Sequence, residues 1–207
     1  MGRTLGIIII LLTVCSGAGV IAGEKSPNKE IAVLQTSLGA IEIELYKPDA
    51  PKTVQNFVKL AQKKTFNGIR FHRVSKGFVI QTGDPLSADP KKKGEWGTGG
   101  TSIYGGKEFA DELNTNTQSY KDGYKRGVVA MANRGPNTNT SQFFIMLADR
   151  VDMPKRYTIF GRVISGMDVV DKIGSVELDP PYASDGKPKT DVMLLKVSIK
   201  KQAQSKK

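Results

Sequence analysis

The sequence is poor in the side chains that carry most proton-transfer and metal chemistry. Its 207 residues include one histidine, His72, and one cysteine, Cys15. A zinc site normally needs several such ligands, and a single cysteine cannot form a disulfide framework. A hydrolytic triad would have to use His72 as its base, and no serine occurs in a G-x-S-x-G motif. We therefore predict a protein without a metal and without hydrolytic chemistry.

The amino-terminal segment, residues 1–22, differs in composition from the rest. Arg3 precedes an apolar run, residues 5–22, that contains no charged residue, which is typical of an export signal. The small-residue end of the run predicts cleavage after Ala22. The run also fits an uncleaved membrane anchor, which needs roughly 17 to 25 residues. Cys15 leaves lipid attachment open as a third interpretation, although the residue before it is bulky.

Beyond this segment we predict a short linker, residues 23–29, one globular domain, residues 30–201, and a basic tail, residues 202–207. A hydrophobic content of 39% with 25% charged residues is ordinary for a soluble domain. Much of the formal net charge of +11 lies in three short basic runs, in which Tyr124 is the only aromatic residue: Lys91–Lys93, Lys121–Arg126 and residues 200–207. Such runs disfavour a nucleic-acid site, whereas attraction to an anionic membrane surface stays open.

Hydrophobic periodicity predicts a domain rich in β-structure. Residues 31–46 contain two alternating runs that meet near Ser37–Gly39, the pattern of an antiparallel hairpin. Residues 49–68 have the spacing of an amphipathic helix, and residues 165–174 have that of a second, shorter helix. Five strand-like runs lie between residues 69 and 163, and a last strand covers Val192–Lys200. This order predicts a closed or nearly closed barrel whose ends are plugged by two helices.

Two segments combine polar and aromatic residues where strands would meet their loops. They are FHRVSKGFVIQTGD, residues 71–84, and AMANRGPNTNTSQFFIM, residues 130–146. Together they contain two arginines, two glutamines, several asparagines and several phenylalanines. The residues alone leave two interpretations open, a binding site or a core flanked by turn-forming polar groups.

These segments resemble the signature of the cyclophilin family of peptidyl-prolyl cis-trans isomerases. The resemblance covers residues 30–200 and rests on six motifs in family order: PKTVQNFVKL, FHRVSKGFVIQTGD, GTGGTSIYG, FADE, MANRGPNTNTSQFFI and YTIFGRVISGMDVVDKI. It implies a mainly β fold, a closed eight-stranded antiparallel β-barrel capped by two α-helices. It also implies an enzyme that accelerates rotation of X-Pro peptide bonds, uses no cofactor, and acts as a monomer on proline-containing polypeptides. Behind an export signal, such an enzyme is expected to assist the folding of exported proteins in the periplasm, the extracellular space or a secretory lumen.

The resemblance assigns site residues by position. Arg73 matches the family's catalytic arginine, and Phe78, Gln81 and Asn133 are expected to act with it. His72 matches a histidine beside the arginine that is not the catalytic group. The expected substrate-binding positions are Val79, Ala132, Gln142, Phe144, Met153 and Tyr157.

Two charged residues depart from the family pattern. Arg134 replaces the small residue usual after the MAN triplet, and Asp152 stands where many members have a tryptophan that favours cyclosporin binding. We therefore expect weak sensitivity to that drug. The departures also support a second hypothesis, a peptide-binding chaperone module with weak or no isomerase activity. The lysine-rich segment Pro85–Trp96 is predicted to be a basic surface loop.

Overall fold

The computed structural model describes residues 29–201 and, separately, Gly2. The other residues of the predicted signal or anchor, most of the predicted linker, and the tail at 202–207 lie outside the described residues. Within the described part of the chain, no helix is long and apolar enough to cross a membrane.

The strands of residues 29–201 are all antiparallel and belong to one strongly curled sheet. In chain order they are β1 Glu30–Thr36, β2 Gly39–Leu45, β3 Ile69–Arg70, β4 Arg73–Ser75, β5 Val79–Thr82, β6 Val128–Met131, β7 Phe143–Met146, β8 Ile159–Ser165, β9 Leu178–Asp179, β10 Asp185–Pro188 and β11 Met193–Lys201. The helices are α1 Pro51–Gln62, α2 Gln118–Asp122 and α3 Met167–Gly174, with 3₁₀ helices at Pro85–Ala88 and Pro90–Glu95.

The extended segment at residues 69–75 closes the sheet into a barrel. Its first half, β3, pairs with β11 through Ile69 and Leu194. Its second half, β4, pairs with β5 through Arg73 and Gln81. Counted as one strand, this segment completes an eight-stranded barrel in the order β3/β4, β11, β1, β2, β8, β6, β7, β5. The predicted eight-stranded barrel is confirmed, and β10 and β9 add a short ribbon beside β4 that periodicity did not predict.

Both predicted helices are present and pack against the barrel core. Helix α1 begins at Pro51, and the Glu112 carboxylate accepts hydrogen bonds from the backbone N–H groups of Lys52 and Thr53 at 3.0 and 2.8 Å. This side chain satisfies donors that have no partner within a helix and complements the positive end of the helix dipole. Helix α3 buries Val170 and Ile173 in the same core. The two helices therefore contribute to one continuous apolar cluster.

Phenylalanine side chains join α1 to the barrel wall. Phe57 of α1 is 2% exposed, and its ring centroid lies 5.2 Å from that of Phe66 and 5.4 Å from those of Phe143 and Phe160. Phe143 belongs to β7 and Phe160 to β8. Helix α1 is thus tied directly to the two strands that flank β6.

The segment Pro85–Trp96 is more ordered than predicted from its polar composition. It forms two 3₁₀ helices whose first turns are capped by the carboxylates of Asp84 and Asp89. Trp96 is 6% exposed, and the Arg70 guanidinium lies 4.9 Å from its ring centroid. The segment lies at the surface as predicted, but it is not an irregular loop. Side-chain caps and a buried tryptophan, rather than hydrophobic periodicity, fold it.

We predict that Phe57→Ala lowers the free energy of unfolding by about 3 to 5 kcal/mol, the usual cost of removing a buried phenylalanine. Chemical denaturation followed by circular dichroism measures the change. Lys59→Ala, at an exposed position of the same helix, is the control and should alter stability by less than about 0.5 kcal/mol. Equal losses for the two variants would contradict the packing described for α1.

Candidate active site

The ten site residues assigned from the sequence line one groove on the outer wall of the barrel, with a volume of about 730 Å³. They come from β4, the turn before β5, β5 itself and β7, from the residues just after β6 and just before β7, and from the loop between β7 and β8. The residues are Arg73, Phe78, Val79, Gln81, Ala132, Asn133, Gln142, Phe144, Met153 and Tyr157. Segments separated by up to 84 positions in the chain therefore meet at one surface.

The strand register explains why these side chains meet. Arg73 on β4 is paired with Gln81 on β5, and Gln81 is paired with Phe144 on β7. Directly paired residues of an antiparallel sheet place their side chains on the same face. The alternate residues of the same strands, such as Ile80 and Ile145, point into the barrel core. One face of each strand thus builds the core while the other builds the groove.

Arg73 is held by two partners beside the groove. Its Nε and Nη2 atoms donate to Oδ1 and Oδ2 of Asp185 at 2.9 and 2.6 Å, and Nη1 donates to Oε1 of Gln81 at 3.2 Å. The side chain is 40% exposed, so solvent still reaches it. The Asp185 carboxylate raises the pKa of Arg73, mainly through this hydrogen bonding. The guanidinium is therefore a fixed, permanently charged donor.

A chain of amide groups continues from Arg73 into the protein. Gln81 Nε2 donates to Gln142 Oε1 at 2.9 Å, and His72 Nε2 lies 3.1 Å from the same oxygen. The Gln142 amide nitrogen donates to the carbonyl oxygens of Gly97 and Gly99. Gln142 Oε1 must therefore act as an acceptor, so His72 carries its proton on Nε2.

The same amide fixes the glycine-rich loop that forms one rim of the groove. While Gln142 binds the carbonyls of Gly97 and Gly99, Asp84 Oδ2 accepts from their N–H groups at 2.6 and 3.2 Å. A Cβ atom at Gly99 would lie 2.3 Å from Asp84 Oδ1. The close approach of this loop to two buried side chains therefore requires glycine at position 99.

The apolar part of the groove is built on a second cluster outside the barrel. Phe144 is 5% exposed and packs edge-on against Tyr157 with their ring centroids 5.5 Å apart. The Tyr124 hydroxyl accepts from Tyr157 N at 2.9 Å and donates to Tyr157 O at 3.0 Å, which fixes the backbone of Tyr157. Phe78 and Met153 complete this apolar surface. It offers a place for a small apolar ring beside the Arg73 guanidinium.

Asn133 and Arg134 form the other side of the groove. The Asn133 side-chain amide donates to the carbonyl oxygen of Arg156 at 2.9 Å. Arg134 Nη2 donates to Glu108 Oε1 at 2.9 Å, and both residues line the groove. The cation introduced by Arg134 is thus paired with a carboxylate in this structure.

His72 is poorly suited to proton transfer. It is 3% exposed, and burial lowers its pKa from 6.5 to about 4, so the ring is neutral at physiological pH. Within residues 29–201 there is no group of three or more potential metal ligands. The groove offers hydrogen-bond donors and an apolar surface, an arrangement suited to changing the conformation of a bound peptide.

Sequence reasoning missed several residues that position the groove. Asp185 holds Arg73 from 112 positions away, Asp84 anchors the glycine-rich loop, and Tyr124 fixes Tyr157. Asp84 ends the motif FHRVSKGFVIQTGD, but no motif spacing indicates the contacts that these three residues make. Asp185 lies in a short segment with few apolar residues, which gives no periodic signal. Only the pairing of β10 with β4 shows that Asp185 lies beside Arg73.

Comparison with known protein families identifies this arrangement. Residues 31–199 match the family model described as cyclophilin type peptidyl-prolyl cis-trans isomerase/CLD. The chain belongs to this family. The cyclophilin barrel and the isomerase class expected from the sequence are therefore confirmed.

Relatives of this cyclophilin are also named as isomerases. It is 46% identical over 152 residues to peptidyl-prolyl cis-trans isomerase-like 1 of Rhizopus delemar, which covers 73% of this chain and 84% of that protein. It is 44% identical over 163 residues to the mouse protein of the same name, with coverages of 79% and 88%. A crystal structure of a Cryptosporidium parvum cyclophilin type isomerase superposes with a TM-score of 0.72 at 30% identity, covering 84% of this chain and 99% of that chain.

We predict that His72 makes this cyclophilin sensitive to mild acid. Below pH 6.5 the unfolded chain binds a proton at His72, while the folded protein does not until about pH 4. The free energy of unfolding should therefore fall by up to about 3 kcal/mol between these values on account of this residue. Denaturation at several pH values measures the slope.

His72→Gln should reduce this pH dependence, because glutamine retains a donor for Gln142 and does not titrate. Its isomerase activity near pH 7.5 should remain closer to wild type than that of Arg73→Ala. Both proteins carry the same carboxylates, so the difference between the two slopes reports the titration of His72, including its interaction with the Asp84 carboxylate. Identical slopes would show that burial of the imidazole does not control acid stability.

Proposed function

We propose that this cyclophilin accelerates rotation about X-Pro bonds by donating a hydrogen bond from Arg73 to the twisting imide. The observation that carries the proposal is the Arg73 guanidinium, held by Asp185 and Gln81 at the edge of an apolar groove. A proline ring in the groove would lie against Phe144 and its neighbours, with its imide nitrogen towards Arg73. The substrates are proline-containing polypeptides.

The reaction needs no acid, base or nucleophile. Rotation makes and breaks no covalent bond, and it must only overcome loss of amide resonance, a barrier of about 18 to 20 kcal/mol. As the bond twists, the imide nitrogen becomes pyramidal and gains a lone pair that a guanidinium N–H can bind. A donor already fixed in place favours this twisted state over the planar ground states.

Arg73 supplies only part of the required rate enhancement. Uncatalysed isomerisation takes tens to hundreds of seconds, so a turnover of about 1 to 10³ per second requires roughly 3 to 7 kcal/mol at 1.36 kcal/mol per decade. A hydrogen bond to a charged group contributes about 1.5 to 3 kcal/mol. The groove must supply the remainder by excluding water from the proline ring and by holding the flanking peptide with Gln81 and Asn133.

A solved relative supports the substrate class. The Cryptosporidium parvum isomerase was also crystallised in the presence of the dipeptide Ala-Pro, and that structure superposes on this chain with a TM-score of 0.71 at 30% identity. A short Ala-Pro peptide is therefore a suitable first substrate for this cyclophilin.

We predict that Arg73→Ala lowers the catalysed exchange rate of an Ala-Pro peptide by at least tenfold, because the twisted imide loses its charged donor. Two-dimensional NMR exchange spectroscopy measures the rate, and circular dichroism verifies folding. Arg126→Ala is the matched control: Arg126 makes a bidentate pair with Asp171 and is 43% exposed, close to the 40% of Arg73, but it does not line the groove.

Three outcomes separate the hypotheses. Loss of activity in Arg73→Ala with retention in Arg126→Ala supports the assignment. Full activity in folded Arg73→Ala overturns it. Wild-type protein that binds the peptide without accelerating exchange would instead support a peptide-binding chaperone module.

The place of action is proposed from the amino-terminal sequence. An apolar run at residues 5–22 behind Arg3 suits export, and an exported isomerase would act on proteins that fold outside the cytoplasm. Cleavage, membrane anchoring and lipid attachment at Cys15 each yield a distinct product.

We predict that the protein isolated from its native cells lacks residues 1–22. Intact-mass spectrometry of soluble and membrane fractions measures this directly. A full-length chain in the membrane fraction would favour an anchor, and an added lipid mass would favour modification at Cys15. An unmodified full-length chain in the soluble cytoplasmic fraction would contradict export.

A further inference from the structure

We propose that Asp185 is a positioning residue for the isomerase reaction: it fixes the Arg73 guanidinium in the orientation that serves the twisted imide. The proposal rests on the function assigned above to Arg73. Asp185 itself does not line the groove, so it acts through Arg73 rather than on the substrate.

The contact between the two side chains is bidentate. Arg73 Nε lies 2.9 Å from Asp185 Oδ1 and Nη2 lies 2.6 Å from Oδ2. Two parallel hydrogen bonds between a planar guanidinium and a planar carboxylate fix orientation as well as distance. The Arg73 guanidinium also holds the pKa of the Asp185 carboxyl below its ordinary value, so the carboxylate stays ionised at neutral pH.

The hydrogen bonds to Asp185 and Gln81 leave part of the Arg73 guanidinium available for the substrate. A guanidinium has five N–H groups. Asp185 takes the one on Nε and one on Nη2, and Gln81 takes one on Nη1. Among the described residues, no further hydrogen bond from the Arg73 guanidinium is formed, so one N–H on each terminal nitrogen is available to the peptide.

The backbone fixes Asp185 at this place. Asp185 begins β10 and is paired with Ser75, and Gly186 is paired with Val74, so β10 runs along β4 beside Arg73. The carboxylate therefore approaches the guanidinium from the side away from Gln81. Without it, only the single 3.2 Å contact to Gln81 would hold the charged group, and rotation about the arginine side-chain bonds would reduce the fraction of correctly oriented donors.

The chain provides a closely matched control pair. Arg126 donates from Nη1 and Nη2 to Asp171 at 2.8 and 2.6 Å, and the two side chains are 43% and 46% exposed. The corresponding exposures of Arg73 and Asp185 are 40% and 43%. Neither Arg126 nor Asp171 lines the groove. Substitution of Asp171 therefore removes an equivalent ion pair without touching the site.

The experiment compares Asp185→Ala, Asp185→Asn and Asp171→Ala in the full chain. Exchange spectroscopy at saturating Ala-Pro peptide gives the catalysed rate, and peptide titration gives the dissociation constant. We expect Asp185→Ala to lower the catalysed rate about tenfold, equivalent to 1.36 kcal/mol of transition-state stabilisation. The dissociation constant should change less than twofold, because the lost orientation matters most in the twisted state.

A spectroscopic readout distinguishes positioning from general stability. In wild type, the Arg73 Nε–H is bound to a carboxylate and should exchange slowly with water, giving a resolved NMR signal. The signal should weaken in Asp185→Ala and persist in Asp171→Ala.

Asp185→Asn keeps one acceptor oxygen and should show an intermediate catalysed exchange rate. Should the alanine variant fail to fold, the nearly isosteric asparagine variant carries the same test.

The outcomes separate this proposal from the one it depends on. Activity of Asp185→Ala within twofold of wild type, or equal losses for Asp185→Ala and Asp171→Ala, would overturn the role of Asp185. If Arg73→Ala is inactive while both Asp185 variants are fully active, only this proposal fails. If Arg73→Ala is fully active, both the catalytic assignment and the positioning role fail.

Discussion

The groove depends on the alternation of side chains across the barrel wall. In β5 and β7, Ile80 and Ile145 point into the core, whereas Gln81 and Phe144 point outward. Because β4, β5 and β7 pair without a register shift, each outward residue of these strands lies next to another outward residue. A shift of one residue in either strand would exchange core and groove together. The pairing register of these strands therefore determines both the packing of the barrel core and the geometry of the site.

The polar half of the site is a continuous set of hydrogen bonds rather than a collection of independent groups. Asp185 holds Arg73, Arg73 contacts Gln81, and Gln81 contacts Gln142. Gln142 then fixes both His72 and the glycine-rich loop. Each group limits the orientation of the next, which keeps donors in place before a peptide arrives. An enzyme whose reaction transfers no proton can still stabilise its transition state with donors that are held in place in advance.

Much of the fold was predictable because the residues that form the core recur with strong hydrophobic periodicity. The hairpin of β1 and β2 and the two main helices follow from period-two and 3.6-residue patterns. The ribbon of β9 and β10 was not, because β10 has the sequence DGKP, which contains glycine and proline and lacks apolar alternation. The 3₁₀ helices of Pro85–Glu95 were also missed, since their order comes from aspartate caps. Local caps and pairing to an existing strand edge leave little periodic signal in a sequence.

By itself, the sequence determined the barrel strands and the two main helices, the scarcity of proton-transfer groups, and, through its six motifs, the family and ten of the residues that line the groove. Only the tertiary structure decided which groups hold those residues. Asp185 reaches Arg73 because β10 pairs with β4, and Asp84 reaches the glycine-rich loop because that loop folds back over the barrel wall. Local periodicity reports whether a residue faces a core. It does not report which distant polar residue will meet it, because that contact depends on how the closed sheet brings its edges together.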